Sequence, residues 1–196
     1  MPRFSILADP ELEEVSITLR KRLESLGNEI APEDFSDGVF SPLMRGVLSS
    51  SFSLAEATEG ALWLADPNHE FLVPVFNSGP EAEKFVGSFK QPLNSGLISM
   101  VYATEQPFCE NDVHHNSQHD KTVDSAMETV TASMVAVPLY FGGRIRGVMS
   151  CVRLKPNSEA PDPPGFTGAN MRQMQLAAET LQRLIEHRLL SIALAW

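Results

Sequence analysis

The sequence is poor in cysteine, in clustered positive charge and in long apolar runs, and each shortage closes off a class of protein. Only Cys109 and Cys151 stand among 196 residues. Two cysteines make no disulfide framework, and a reducing cytoplasm is the expected compartment. Lys and Arg number 15 against 25 Asp and Glu, a formal net charge of −10 at pH 7. A phosphate backbone demands clustered cations, so no nucleic-acid partner is expected; the one basic run, Arg20-Lys21-Arg22, reads as the solvated face of a helix. The apolar tail at 189–196 is far shorter than the roughly 20 residues that span a bilayer. The segment after Met1 turns acidic by Asp9 without the apolar core of a signal peptide, so no membrane partner is expected either. Internal repeats, a phosphate-cradling glycine loop, Ser-His-Asp spacing and paired carboxylates are all missing, which argues against catalysis.

What is present is an ordinary globular share of hydrophobic residues, 43%, in a chain suited to one domain with helical extensions. Asp9, Pro10 and the acidic residues Glu11, Glu13 and Glu14 signal a helix start, and Gly27 its stop. Leu12, Val15, Leu19, Leu23 and Leu26 give that helix one apolar stripe. A polar connection over 28–41 leads to a second helix at 42–57. Strands are expected at 60–65, 71–76 and 89–93, then a helix at 97–104, and two clearer strands at 134–140 and 145–154 turning at Gly142-Gly143. Pro138 sits awkwardly in the first of that pair, because it cannot donate to a ladder. Past the proline-rich loop 156–165, a final helix carries Met171, Met174, Ala178, Leu181, Ile185, Leu189, Ile192 and Trp196 on one stripe. Its three- and four-residue steps suit a helix-pair seam, which points to a homodimer through the terminal helices. Packing of both helices on their own sheet is the alternative. The whole is an α+β domain.

The ordered set Ser95-Gly96-Leu97-Ile98, Ala103-Thr104-Glu105-Gln106-Pro107, Asn111-Asp112-Val113, Val135-Ala136-Val137-Pro138-Leu139, Gly142-Gly143, Gly147-Val148-Met149 and Phe166-Thr167 resembles the GAF domain over 42–190. The resemblance implies a six-stranded antiparallel sheet with flanking helices, long terminal helices and a small-molecule pocket. It divides the chain into an N-terminal helix and connection (1–41), a sensory domain (42–166) and a signalling and dimerisation helix (167–196). GAF domains mostly bind small molecules and regulate an effector, here expected on another chain. Within the family, 120–124 and 129–134 look like the segment covering the nucleotide in cyclic-nucleotide-binding members. Those members carry an Asn-Lys pair and a Phe-Asp-Glu set, whereas here Phe166 is followed by Asn170 and Met171.

On segments that this fold turns inward, the resemblance implies a pocket with polar groups Asp112, Thr129, Thr131 and Ser133 and apolar walls Leu97, Phe108, Val113 and Val135. The competing reading has Asp112 capping the next segment and the threonines serving nearby backbone. His114, His115 and His119, with Asp112, Asp120 and Asp124 nearby, invite a metal; the polar, loop-like Asn116-Ser117-Gln118 argues for solvated histidines, and no metal is expected. Cys151 reads as a small buried hydrophobe. Neither cysteine is followed by the histidine of bilin-binding members, and two isolated cysteines do not reproduce the set of the methionine sulfoxide-reducing subfamily. The expected function is a non-catalytic, dimeric sensor of an unidentified small molecule. A ligand-free interaction module is the second reading, and a redox enzyme using Cys109 the third.

Overall fold

The structure, a computed structural model, describes residues 10–127 and 129–194. The chain enters through helix α1 (Pro10–Glu29). Asp9, the expected cap, and Trp196 lie outside the described residues, as does the side chain of Leu12. Gly27 does not stop α1 but lies within it, where the helix rests on a hairpin tip. A Cβ there would already touch the Phe141 ring at 3.5 Å. The segment expected to be a polar connection instead holds helix α2 (Pro32–Asp34) and a π-helical turn (Phe35–Val39). That turn carries Phe35, Val39 and Phe40 into the core, and Phe35 stacks on Phe40 and Phe141 at 5.7 and 6.2 Å. Burial of three large apolar side chains outweighs the polarity of the residues between them. Helix α3 (Pro42–Leu54) starts where Pro42 meets Ser41, whose hydroxyl accepts from the Met44 amide.

Strands β1 (Glu59–Ala65) and β2 (Phe71–Asn77) follow, then helix α4 (Ala82–Phe85), the two-residue strand β3 (Gln91–Pro92), helix α5 (Leu97–Thr104) and strand β4 (Phe108–Glu110). Helix α6 (Thr122–Met127) leads into β5 (Val130–Phe141), which turns into β6 (Arg144–Lys155), and helix α7 (Gly168–Ala193) ends the described chain. Gly142 and Gly143 have φ of 60° and 77°, the left-handed pair that a two-residue hairpin of matching twist requires. The strands form one antiparallel sheet in the order β3-β2-β1-β6-β5-β4. Pro138 is accommodated because β4 pairs with β5 only at Met134, Val135 and Ala136, leaving the outward edge at Pro138 without a strand partner.

Alternation along β5 and β6 sends apolar side chains to both faces. Val135, Val137, Leu139, Met149 and Cys151 meet α3, α7 and the π-helical turn. Met134, Ala136 and Val148 meet α5, Trp63, Phe85 and Val113 on the other side. Arg153 ties the helical layer together: its guanidinium donates to the carbonyls of Ala55 (2.9 Å), Glu56 (3.1 Å) and Gly165 (3.1 Å), and covers the Phe166 ring at 4.4 Å. The final helix begins with a reciprocal cap between Thr167 and Asn170.

Its apolar stripe is used internally. Met174, Ala178, Leu181, Ile185 and Leu189 are buried against the sheet of the same chain, so they are not a seam for a second copy.

Candidate functional site

The second face of the sheet is covered by the crossover between β2 and β5, and that cover does not pack flush. Between it and the strands lies a cavity of about 90 Å³. The floor is β1 and β6, with Trp63 donating its indole N–H to Ser150 Oγ at 3.0 Å and meeting Phe85 and Phe89 edge-on at 5.2 and 6.0 Å. Leu97 and Ile98 of α5 form one side, and Met134 and Thr131 of β5 another.

The cover is latched from its own sequence. Asp124, on α6, is buried, and its carboxylate accepts from the Thr131 amide (2.9 Å) and hydroxyl (2.7 Å) and pairs with His119 Nε2 (3.0 Å). Burial pushes this carboxyl up, but the His119 imidazole and the two Thr131 donors outweigh it and hold the group below its ordinary value. A second contact closes the mouth: Gln91 Nε2 donates to the Ser95 carbonyl (2.9 Å) and to Asp120 Oδ2 (3.2 Å). Asp120 is held below its ordinary value first by the Thr122 hydroxyl, then by the Thr122 amide. Across the cavity, burial pushes the Glu59 carboxyl up, with Glu81 adding to the effect and the Asn77 side chain opposing it. The ionisable groups of the wall are therefore mostly carboxyl, Glu59, Asp120 and Asp124 against the imidazole of His119, and the neutral polar groups are Asn77, Gln91, Thr129, Thr131 and Ser150. Gly96, His119 and Asp120 also line a groove of about 550 Å³ on the outside, so they form the partition between cavity and solvent.

Of the eight residues expected in a pocket, Leu97, Thr129 and Thr131 line this cavity. Phe108 and Val113 pack in the apolar cluster beside it without lining it. Ser133 and Val135 point the other way. The ladder skips Ala132, pairing Thr131 with Leu154 and Ser133 with Arg153, and that bulge gives Thr131 and Met134 the cavity face while turning Ser133 toward the helices. Asp112 is exposed and pairs with His115. Phe166 and Asn170 serve the helical layer, under Arg153 and in the α7 cap. Residue chemistry alone singled out neither Glu59 nor Gln91. The spacing of His119 and Asp124 ahead of a strand that opens with Thr131 in its second position was the signal for the latch.

Cys151 is among the residues that line the cavity floor, but its side chain, like that of Cys109, belongs to the helical layer. Cys109 and Cys151 both pair with Val135 on its two sides and pack in the helical-face cluster. Burial pushes Cys151 up to about 12 and raises Cys109 as well, so neither is a thiolate at neutral pH.

These features define a small α+β domain with a covered cavity on the sheet face opposite its terminal helices. The model of the GAF domain matches residues 43–186, and the chain belongs to that family. Its fold is that of the GAF domain of a phosphoenolpyruvate-protein phosphotransferase from Coxiella burnetii, with 17% identity, coverage of 91% of this chain and 95% of that one, and a TM-score of 0.61. The GAF-B domain of DevS from Mycobacterium smegmatis is similar at 16% identity over 74% and 91% of the two chains, TM-score 0.56. So is the free methionine-R-sulfoxide reductase of Neisseria meningitidis, at 17% identity over 100% of both chains, TM-score 0.52. No curated protein matches the sequence.

The latch carries a pH-dependent share of stability. Because Asp124 is held below its ordinary 3.8, its contribution is full above that value and fades as pH falls through the folded-state pKa. Asp124→Ala should cost about 1.5–3 kcal/mol at pH 7, the worth of hydrogen bonds to a charged group, measured by urea unfolding. Wild-type stability in that variant would mean the latch bears no load.

Proposed function

We propose that this GAF domain is a sensor that holds a small ligand carrying an ammonium or several hydrogen-bond donors, under a cover that opens at Gly96, His119 and Asp120. The observation that carries the reading is the charge balance of the cavity wall: its ionisable groups are three carboxyls and one imidazole, set among neutral amides and hydroxyls over an aromatic floor. Such a wall complements positive charge and N–H donors, and its low-dielectric floor strengthens the attraction. The space takes a molecule of a few non-hydrogen atoms rather than a tetrapyrrole or a nucleotide. A ligand that prefers the closed cover shifts the population toward it, and effectors on other chains read the change through the helices.

The reading is non-catalytic. Ser150 Oγ is engaged by Trp63, both cysteine side chains pack in the helical-face cluster, and the Thr131 hydroxyl that meets Asp124 is tied into the latch together with its own amide and His119 rather than left free to attack. With two free thiols, the compartment we assign is the cytoplasm. No described helix is long and apolar enough to cross a membrane.

Thermal-shift titration against a panel of small amines, amidines and the smallest amino acids tests the ligand. At least one compound should raise the melting temperature of the native protein, and Ile98→Trp, which fills the cavity from α5, should abolish that rise. A response that survives Ile98→Trp would place binding elsewhere. A panel without any response would favour the interaction-module reading.

We also infer a homodimer, on different grounds from the α7 stripe. Residues 13–18 of α1 are exposed on every side, with Val15 and Ile17 at 52% and 50% exposure, and Ile192 of α7 and Leu194 just after it are 46% and 43% exposed. A helical half-segment packed on nothing has little stability of its own, and a second copy offering the same surfaces would bury these side chains. Sedimentation at micromolar concentration should show a dimer that Val15→Glu with Ile17→Glu converts to monomer. A native monomer would contradict this.

A further inference from the structure

We propose that Asp112, His114 and His115 form a binding site for one divalent transition-metal ion, of the zinc class, on the short turn that joins β4 to the cover. The site is separate from the cavity and does not depend on what the cavity binds.

The donor geometry carries the argument. The 3-10 turn Val113–His115 places two consecutive imidazoles on the same side, with ring centroids 4.0 Å apart. Both Nδ1 atoms face one carboxylate oxygen: Asp112 Oδ1 lies 2.7 Å from His115 Nδ1 and 3.4 Å from His114 Nδ1. All three donor atoms fall within 4.8 Å of one another. Bonds of about 2.0–2.1 Å to a tetrahedral zinc ion set neighbouring ligands roughly 3.3 Å apart, so small adjustments would complete a three-ligand centre with water in the fourth position. Two imidazoles and one carboxylate favour zinc, copper or nickel over magnesium and calcium.

A second observation points the same way. His114 Nδ1 is buried and has no hydrogen-bond partner; its approach to Asp112 is within ion-pair reach but outside hydrogen-bond geometry. Orphaned buried nitrogens are rare, and a bound ion accounts for this one. The histidines expected from the sequence to be merely solvated are thus sorted by the fold: His119 belongs to the Asp124 latch, and the other two converge.

Lys155 tunes the site. Its Nζ lies 3.5 Å from His114 Nε2 and also bonds Asp162 Oδ1 at 2.7 Å. Metal on Nδ1 moves the His114 proton to Nε2, toward the ammonium, so Lys155 weakens binding and must lean to Asp162 when the ion arrives. The turn is the root of the cover, so an ion there fixes the end from which the cover moves.

Metal-stripped, untagged protein titrated calorimetrically with zinc chloride tests the proposal. One equivalent should bind at micromolar concentration, with magnesium chloride giving no heat. His115→Ala and Asp112→Asn, both at exposed positions, should each weaken binding at least about tenfold. His69→Ala should leave it unchanged, and Lys155→Met should tighten it. Sub-stoichiometric zinc, equal affinity in His115→Ala and Asp112→Asn, loss of binding in His69→Ala or weaker binding in Lys155→Met would each overturn the proposal.

Discussion

The constraint on which this structure depends is that the β5–β6 hairpin is apolar on both faces. A sheet buried on both sides must be covered twice, because each exposed apolar face forgoes roughly 25 cal/mol for every Å² left in water. One cover is made of α3, α7 and the π-helical turn at Phe35–Val39, fitted closely around Leu62, Val135, Val137 and Met149. The other is the long crossover from β2 to β5. It supplies α5, Phe85 and Val113 to the apolar end, then changes character at His119, Asp120 and Asp124. Polar side chains cannot close flush on an apolar sheet, and the cavity is where the two meet.

A buried carboxylate in such a place is costly unless its lone pairs are satisfied. Asp124 meets that demand with one imidazole and both donors of Thr131, which is also the first cavity-facing residue of β5. The same interaction therefore orders the end of the cover and sets the start of the strand. Thr131 would face the helices if the strand ran regularly back from Met134; the bulge at Ala132 is what lets it face the latch. Local strand geometry, buried charge and the shape of the site are in this sense one feature.

How much was legible in the sequence follows the same division. Where a segment obeys a single period or carries strong punctuation it read correctly: the glycine pair at 142–143, Pro42 after Ser41, Leu97–Thr104 and the strands flanking the hairpin. Together with the ordered motifs they sufficed for the sheet and the family. Readings failed where the third dimension reassigns a residue. Gly27 looked like a helix stop because a glycine commonly is one, yet α1 runs on through it to Glu29 along the hairpin tip. The α7 stripe has the spacing of a helix-pair seam, and the same spacing serves equally well for a helix lying on its own sheet. Ser133 and Val135 were misplaced because a one-residue bulge reverses facing and leaves no mark in composition. Asp112 lay in a suggestive run, but the chain turns it outward to His115.

The account stands on the Asp124 latch holding the cover over the cavity, and backbone amide hydrogen exchange compared between the native protein and Asp124→Asn reads that directly. Opening of the cover without global unfolding should speed exchange at the Thr131 amide and across 119–127, while the amides of 134–137 and 147–151 in the central strands keep their protection. Unchanged exchange at Thr131 and the cover, or equal acceleration across the whole sheet, would contradict it.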